Sequence, residues 1–126
     1  MIPDPSSFLF MNDDLKTRTK NFAVRIIKLF AALPKTTEAQ VIGKQVLRSG
    51  TSVGAHYREC QYAKSDADFI SKIEGGLQEL EETEYWLELL EETQIFDVEK
   101  LTLIKNETNE LKAIFITIVK KVKSRR

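Results

Sequence analysis

The chain has 126 residues, and its 19 basic and 19 acidic side chains give a formal net charge of zero. Apolar residues make up 42% of the sequence and charged residues 30%, with only 5 glycines and 3 prolines. This composition excludes a disordered chain and a turn-rich β-domain, and the length is that of one domain.

A single cysteine and a single histidine limit the possible metal and redox chemistry. Cys60 alone excludes an internal disulfide, and His56 alone excludes both a Cys/His zinc site and the paired Glu-x-x-His motifs of a di-iron bundle. No apolar stretch approaches the ~18 residues of a membrane helix, and the N-terminal residues do not resemble a secretory signal. We therefore expect a cytoplasmic protein without metal, cofactor or membrane contact.

The first of four segments with a helical apolar period covers residues 13–33. Asp13 or Asp14 can cap this helix, and Pro34 follows its last residue. Its apolar positions alternate by four and three residues, as in a helix that faces a bundle core. These positions are Leu15, Phe22, Ile26, Leu29 and Leu33, with Thr19 between them.

The second helix is predicted over residues 37–63, with Thr36 or Thr37 as its cap. Gly50 and Gly54 each lower helix propensity by up to ~1 kcal/mol relative to alanine, so a loop over residues 49–54 is the alternative. We favour a continuous helix because the spacing keeps its phase, and small residues there would let a neighbouring helix approach closely. The core positions are Ile42, Val46, Ser49, Val53, His56, Cys60 and Ala63.

The third and fourth helices are predicted over residues 66–93 and 97–123, capped by Ser65 or Asp66 and by Asp97. Gly75 and Gly76 form a weak point at which the third helix can kink. The core positions are Phe69, Ile73, Gly76, Leu80, Thr83, Leu87 and Leu90, then Leu101, Ile104, Thr108, Leu111, Phe115, Ile118 and Val122. Short connections favour antiparallel neighbours, so we predict one all-α domain over residues 1–126, an antiparallel up-down-up-down four-helix bundle.

Several apolar side chains lie outside these core positions. They either broaden each helix's own core face or leave apolar surface for a second copy of the chain. We favour self-association when they are taken together, with the N-terminal segment Phe8–Met11 as further apolar surface. The residues are Phe30, Ile70, Leu77, Tyr85, Trp86, Leu89 and Ile114.

The zero net charge hides a separation of charge along the chain. Residues 1–65 carry 10 basic and 5 acidic side chains, residues 66–96 carry 1 and 10, and residues 97–126 carry 8 and 4. Ion pairs between helices or subunits are one interpretation. The other is a basic patch that an oligomer multiplies and that binds RNA or DNA phosphates, because the C-terminal cations exceed what the helix dipole needs. These cations are Lys120, Lys121, Lys123, Arg125 and Arg126.

Polar side chains follow one flank of the second and third helices. They are Arg48, Ser49, Ser52, Glu59, Glu79, Glu82, Thr83 and Trp86. We expect a hydrogen-bonded network between the two helices, with Arg48 or Arg58 facing Glu79 or Glu82. If that arginine is buried, Glu82→Ala would cost ~3–5 kcal/mol.

Thiol catalysis or metal binding at His56, Glu59 and Cys60 is a further alternative, since a nucleophile four residues from a base lies on the same helical face. His56 and Cys60 both fall on the predicted core positions, where cysteine behaves as a small buried hydrophobe. No motif supplies a third residue to orient the base. We therefore expect no enzymatic activity.

Two sequence blocks carry a family resemblance. The blocks Arg48-Ser49-Gly50-Thr51-Ser52 and Glu79-x-x-Glu82-Thr83-x-Tyr85-Trp86 resemble the four-helix-bundle proteins of the bacterial 23S rRNA intervening-sequence family, and the likeness covers residues 14–120. The resemblance implies a cytoplasmic, non-enzymatic homopentamer in which the network residues are architectural. A related branch, the accessory variability protein of diversity-generating retroelements, binds reverse transcriptase and nucleic acid through a basic surface.

The sequence and the resemblance together favour a non-enzymatic oligomeric scaffold that binds RNA or DNA, or an RNA-associated protein, through basic surface. The alternative is a protein–protein assembly module that binds no nucleic acid. Salt-dependent binding of RNA would distinguish the two, because phosphate contacts release counterions.

Overall fold

A computed structural model describes the backbone of residues 5–125 and the side chains of residues 14–125. Arg126 and the side chains of Phe8–Met11, for which the sequence made predictions, lie outside the described residues. The described residues form four α-helices and no strand: α1 at Pro5–Ala32, α2 at Thr37–Cys60, α3 at Asp66–Glu92 and α4 at Val98–Ser124. Within this part of the chain, no helix is long and apolar enough to span a membrane.

The first helix begins earlier than its apolar pattern predicts. α1 starts at Pro5, so the predicted cap at Asp13 or Asp14 is wrong. Proline suits the first helical position because its missing N–H would have no partner there. No glycine or further proline interrupts the sequence between Pro5 and Leu33, and the helix therefore continues through both aspartates.

The other three helices begin at the caps that the sequence predicts. Thr36 Oγ1 accepts from the backbone N–H of Ala39 at 3.3 Å, which fixes the start of α2. Ser65 Oγ does the same for α3 at 3.1 Å, and Asp97 Oδ1 for α4 at 2.8 Å. Each side chain pairs a backbone donor that the helix itself leaves without an acceptor.

One apolar core joins the four helices. All the predicted core positions of α1, α3 and α4 are buried, and the largest of these side chains include Phe22, Phe69 and Phe115. The buried threonines Thr19 and Thr108 donate to the carbonyls four residues earlier, each at 2.8 Å. Their hydroxyls therefore enter the core without an unpaired donor.

α2 departs from the predicted core pattern. It is a continuous helix through residues 49–54, as favoured, but the side chain of His56 is about one-third exposed and Tyr57 is buried in its place. The reason is a set of three buried glycines on the side of α2 that faces α1. They widen the buried face in that direction, so its centre passes through Tyr57 rather than His56.

These glycines let α1 and α2 approach closely. A Cβ atom added at Gly50 would lie 2.7 Å from Ile26 Cγ1, and one at Gly43 would lie 2.6 Å from Leu33 Cδ1. At Gly54 the same atom would meet Thr19 Oγ1 at 3.3 Å. The small residues therefore serve contacts within one chain.

The adjacent glycines of α3 do not break that helix. A Cβ at Gly76 would lie 2.7 Å from Cε2 of Phe115 on α4, whereas one at Gly75 would lie 3.0 Å from the ring of His56 on α2. Each glycine thus makes room for one large side chain of a neighbouring helix.

Most of the apolar side chains outside the predicted core positions belong to the chain's own core. Ile70 is buried, and Phe30, Leu77, Trp86 and Ile114 are partly buried against the core. These five residues broaden the core faces, so they do not support self-association. Tyr85 is different, since 54% of it is exposed.

Ion pairs connect α4 to its two neighbours. Arg18 of α1 pairs with Glu107 at 2.6 Å, and the hydrogen bond from this carboxylate raises the pKa of Arg18. Against α3 the residue numbers of α4 fall as those of α3 rise: Glu74–Lys123 at 3.7 Å, Glu84–Lys112 at 3.0 Å and Glu91–Lys105 at 2.9 Å. Part of the acidic charge of α3 is therefore paired within the chain.

Candidate functional site

A buried pair of hydroxyls lies at the centre of the α2–α3 contact. Ser49 Oγ and Thr83 Oγ1 are 2.7 Å apart, and Thr83 Oγ1 also donates to the carbonyl of Glu79 at 2.8 Å. Ser49 Oγ also lies within hydrogen-bond distance of the carbonyl of Val46, at 3.4 Å, so either hydroxyl can donate between the two helices. This bond satisfies both groups in the core and fixes the register of α2 on α3.

An arginine–carboxylate cluster lies beside this pair at the surface. Arg48 Nη1 is 3.4 Å from Glu79 Oε1, and Arg48 Nη2 contacts Glu82 Oε2. The side chains of Arg48 and Glu82 are each 51% exposed, so the arginine is not buried. Ser52 Oγ donates to the carbonyl of Arg48 at 2.6 Å and makes no hydrogen bond to α3 among the described residues.

Glu82→Ala is expected to lower the free energy of unfolding by less than about 1 kcal/mol, because exposed ion pairs contribute little and Arg48 keeps Glu79. Urea denaturation followed by circular dichroism measures this change. Glu81→Ala, which removes a neighbouring carboxylate that has no ion pair among the described residues, is the control. A difference of 3 kcal/mol between the two variants would contradict the exposed geometry.

His56 lies between two carboxylates on the same α2–α3 surface. Its Nδ1 is 3.7 Å from Glu59 Oε1 and its Nε2 is 3.7 Å from Glu79 Oε2, while Lys72 Nζ is 4.0 Å from Glu59 Oε2. The surface of α2 and α3 thus carries a row of neighbouring polar side chains from Arg48 to Lys72. These contacts connect the exposed edges of the α2–α3 interface.

Cys60 does not share this surface with His56. Its thiol is buried and donates to the carbonyl of Tyr57 at 2.8 Å. Burial raises the pKa of the Cys60 thiol to about 12, so the group is a neutral thiol at physiological pH. Among the described residues, no group of three or more His, Cys, Asp or Glu side chains is arranged to hold a metal ion.

Trp86 takes no part in the hydrogen-bonded contacts. Its Nε1 atom is buried and has no hydrogen-bond partner among the described residues. Its ring lies edge-on to Tyr85, with the centroids 5.0 Å apart. Trp86 therefore acts through packing, and it supports the exposed Tyr85.

The C-terminal cations lie at the exposed end of α4. Lys120, Lys121, Lys123 and Arg125 are all exposed, and Lys123 Nζ is 3.7 Å from Glu74 Oε2 on α3. Two residues before Glu74, Lys72 contacts Glu59 in the last turn of α2. The last turns of α2 and α4 therefore meet the same part of α3.

The structure adds residues from the α2–α3 connection to this end. Tyr62 is 84% exposed, and it lines a shallow depression with Glu59, Lys64, Asp68 and Lys72. Arg58, one turn before Tyr62, is also exposed. This group was not predicted from the sequence, although a tyrosine between two basic residues at a helix end was visible there. We call Arg58, Tyr62, Lys64 and the exposed C-terminal cations the basic end.

Comparison with known proteins identifies relatives of the whole fold. The family model of the 23S rRNA-intervening sequence proteins matches residues 12–117, which include the polar residues of the α2–α3 contact but not the C-terminal cations. A crystal structure of a protein of unknown function from the S23 ribosomal protein family of Bacteroides thetaiotaomicron VPI-5482 is 43% identical, with a TM-score of 0.81. The match covers 86% of this chain and 97% of that one. None of the curated proteins is similar to the chain.

Proposed function

Since the chain belongs to the family of 23S rRNA-intervening sequence proteins, we propose that it is a non-enzymatic oligomeric scaffold that binds RNA through its basic end. Several copies of the chain assemble, most simply as the homopentamer that the family resemblance implies. The four helices run up-down-up-down, each antiparallel to the next. The order of the ion pairs between α3 and α4 supports this topology.

The observation that carries the nucleic-acid proposal is the composition of the basic end. Exposed cations lie in the last turn of α4 and around the α2–α3 connection, and that connection also carries Tyr62, which is almost fully exposed. Lysine and arginine neutralise phosphates, and an exposed aromatic ring gives a base a surface on which to stack. This combination favours single-stranded RNA or DNA, and oligomerisation would multiply it.

The absence of an enzymatic role is supported by the separate positions of the two candidate catalytic residues. Cys60 is buried as a neutral thiol, whereas His56 lies at the surface between two carboxylates. A thiolate nucleophile needs a lowered pKa and an accessible sulfur atom, and Cys60 has neither.

Replacing Lys120 and Lys121 with glutamine is expected to weaken binding of a single-stranded RNA about tenfold. The plot of log affinity against log salt should become shallower by about 1.4, because each single-strand phosphate contact contributes about 0.7. Fluorescence anisotropy with a labelled 20-nucleotide RNA, over about 50–200 mM salt, measures both quantities.

The matched control removes the same charge elsewhere. Lys35 and Lys44 are exposed lysines at the opposite end of α2, so Lys35→Gln with Lys44→Gln should leave the binding curve unchanged. Equal losses in both double variants would indicate non-specific attraction to total charge. A wild-type protein that binds no RNA would overturn the nucleic-acid proposal. The alternative function, a protein–protein assembly module, would then remain.

A further inference from the structure

A groove with an apolar floor separates α1 from α4. These two helices pack less closely than the other neighbouring pairs, and the apolar side chains of Leu29, Phe96 and Leu103 line the space between them. The groove has a volume of about 290 Å³, just below the about 300–1,000 Å³ of typical small-molecule pockets. Leu103 is 62% exposed, which is unusual for a large apolar residue beside an apolar groove.

The rim of this groove is cationic. Arg25 and Lys28 of α1 and Lys100 at the start of α4 line it. None of the three has an ion pair among the described residues, although Lys100 Nζ lies 6.0 Å from the centroid of the Phe96 ring. An apolar floor flanked by three free cations fits an apolar surface that carries carboxylates.

Such a surface exists on the outer side of α3. Glu81, Tyr85, Glu88 and Glu92 follow one another at intervals of four, three and four residues, so they form one stripe along the helix, which we call the α3 face. Its three glutamates have no ion pair among the described residues, although the charge of Glu88, after the hydrogen bond to Glu91, helps to raise the pKa of Lys105 on α4. Tyr85, at the centre of the acidic stripe, is 54% exposed.

We propose that the α3 face of one copy docks into the α1–α4 groove of a second copy. The aromatic ring of Tyr85 would meet the apolar floor, and the three carboxylates would meet the three rim cations. Placing one helix in a groove between two others is a common mode of recognition between proteins. The inference deepens the proposed oligomeric scaffold, because it names the surfaces that hold the copies together.

The two surfaces differ, and this determines the kind of assembly. A contact between unlike surfaces is head-to-tail, so each copy still offers one free groove and one free face. Further copies then add until the assembly closes as a ring. A symmetric dimer in which the α3 face of one copy met the α3 face of the other would instead bring two acidic stripes together and would be repulsive.

Two substitutions at exposed positions test this contact without disturbing the core. Leu103→Glu places a carboxylate in the groove, where it repels the α3 face, and Tyr85→Lys places a cation on the α3 face, where it repels the rim. Val41→Lys, at a residue of α2 that is 58% exposed, is the control. Light scattering after size-exclusion chromatography gives the mass of each species, and thermal unfolding verifies that each variant is folded.

We expect the wild type and Val41→Lys to be oligomers, and each of the other two variants to be a monomer of 14.5 kDa. Mixing Leu103→Glu with Tyr85→Lys should then restore association, because the intact α3 face of the first variant meets the intact groove of the second. If the single variants remain oligomers, or the mixture remains monomeric, the proposed contact is overturned while the oligomeric function stands. A monomeric wild type would overturn both.

Discussion

Replacing Phe115 with alanine is expected to lower the free energy of unfolding by about 3–5 kcal/mol, the range measured when a buried aromatic side chain is truncated. Phe115 is fully buried, and its ring lies 6.1 Å from the ring of Tyr57. Its other side faces Gly76, which has no side chain to fill the space that the ring would leave. The cavity would thus stay open, and urea denaturation followed by circular dichroism would report its full cost.

The neighbouring residue provides the control for this substitution. Ile116 is 39% exposed, so Ile116→Ala removes much less buried surface and should cost under about 1.5 kcal/mol. Similar losses for the two variants would show that α4 can rotate or shift to close the cavity. A loss below about 2 kcal/mol for Phe115→Ala would contradict the tight packing of α3, α4 and Tyr57.

The sequence predicts the core of three helices because their buried faces consist of large apolar residues and threonines at regular intervals. In α2 the same reasoning fails at His56 and Tyr57. Glycine carries no hydropathy signal that distinguishes a buried position from an exposed one, so the pattern cannot reveal that Gly43, Gly50 and Gly54 face α1. Only the position of the neighbouring helix shows that the buried face extends in that direction.

The candidate site was predictable only where it is continuous in the sequence. The C-terminal cations lie within seven consecutive residues and were predicted from the sequence. Tyr62 and Lys64 join them only because α2 and α4 end against the same part of α3. The α1–α4 groove is even harder to predict from the sequence, since Lys28 and Lys100 belong to helices at opposite ends of the chain.

The sequence did not predict how exposed the residues of the α2–α3 network are. The residues of the Arg48 cluster were expected to contact one another, and Arg48 does contact both Glu79 and Glu82. The spacing of these residues determines on which face of the helix they lie. How deeply they are buried depends on how far the neighbouring helices extend over that face. Half-exposed ion pairs contribute to the register of α2 on α3 rather than to a large part of the stability.

Gly50→Val is expected to cost about 3 kcal/mol, towards the upper end of the usual range for an overfilled core. A Cβ at this position would lie 2.7 Å from Cγ1 and 2.9 Å from Cγ2 of Ile26, which is fully buried. Because Ile26 is branched at Cβ, its rotamers are restricted, and it cannot turn away as a flexible side chain would. The same urea titration measures the loss.

Gly75→Val is the matched control, since it makes the same change within a helix and alters helix propensity equally. The new side chain would meet His56, whose ring is partly exposed and can rotate into solvent, so the cost should stay below about 1 kcal/mol. If Gly50→Val lowered the free energy of unfolding as little as Gly75→Val, α1 would have to move outward to accommodate the larger residue. Because α1 also forms one wall of the α1–α4 groove, such a movement would narrow or widen the groove, and Gly50→Val would then alter self-association as well as stability.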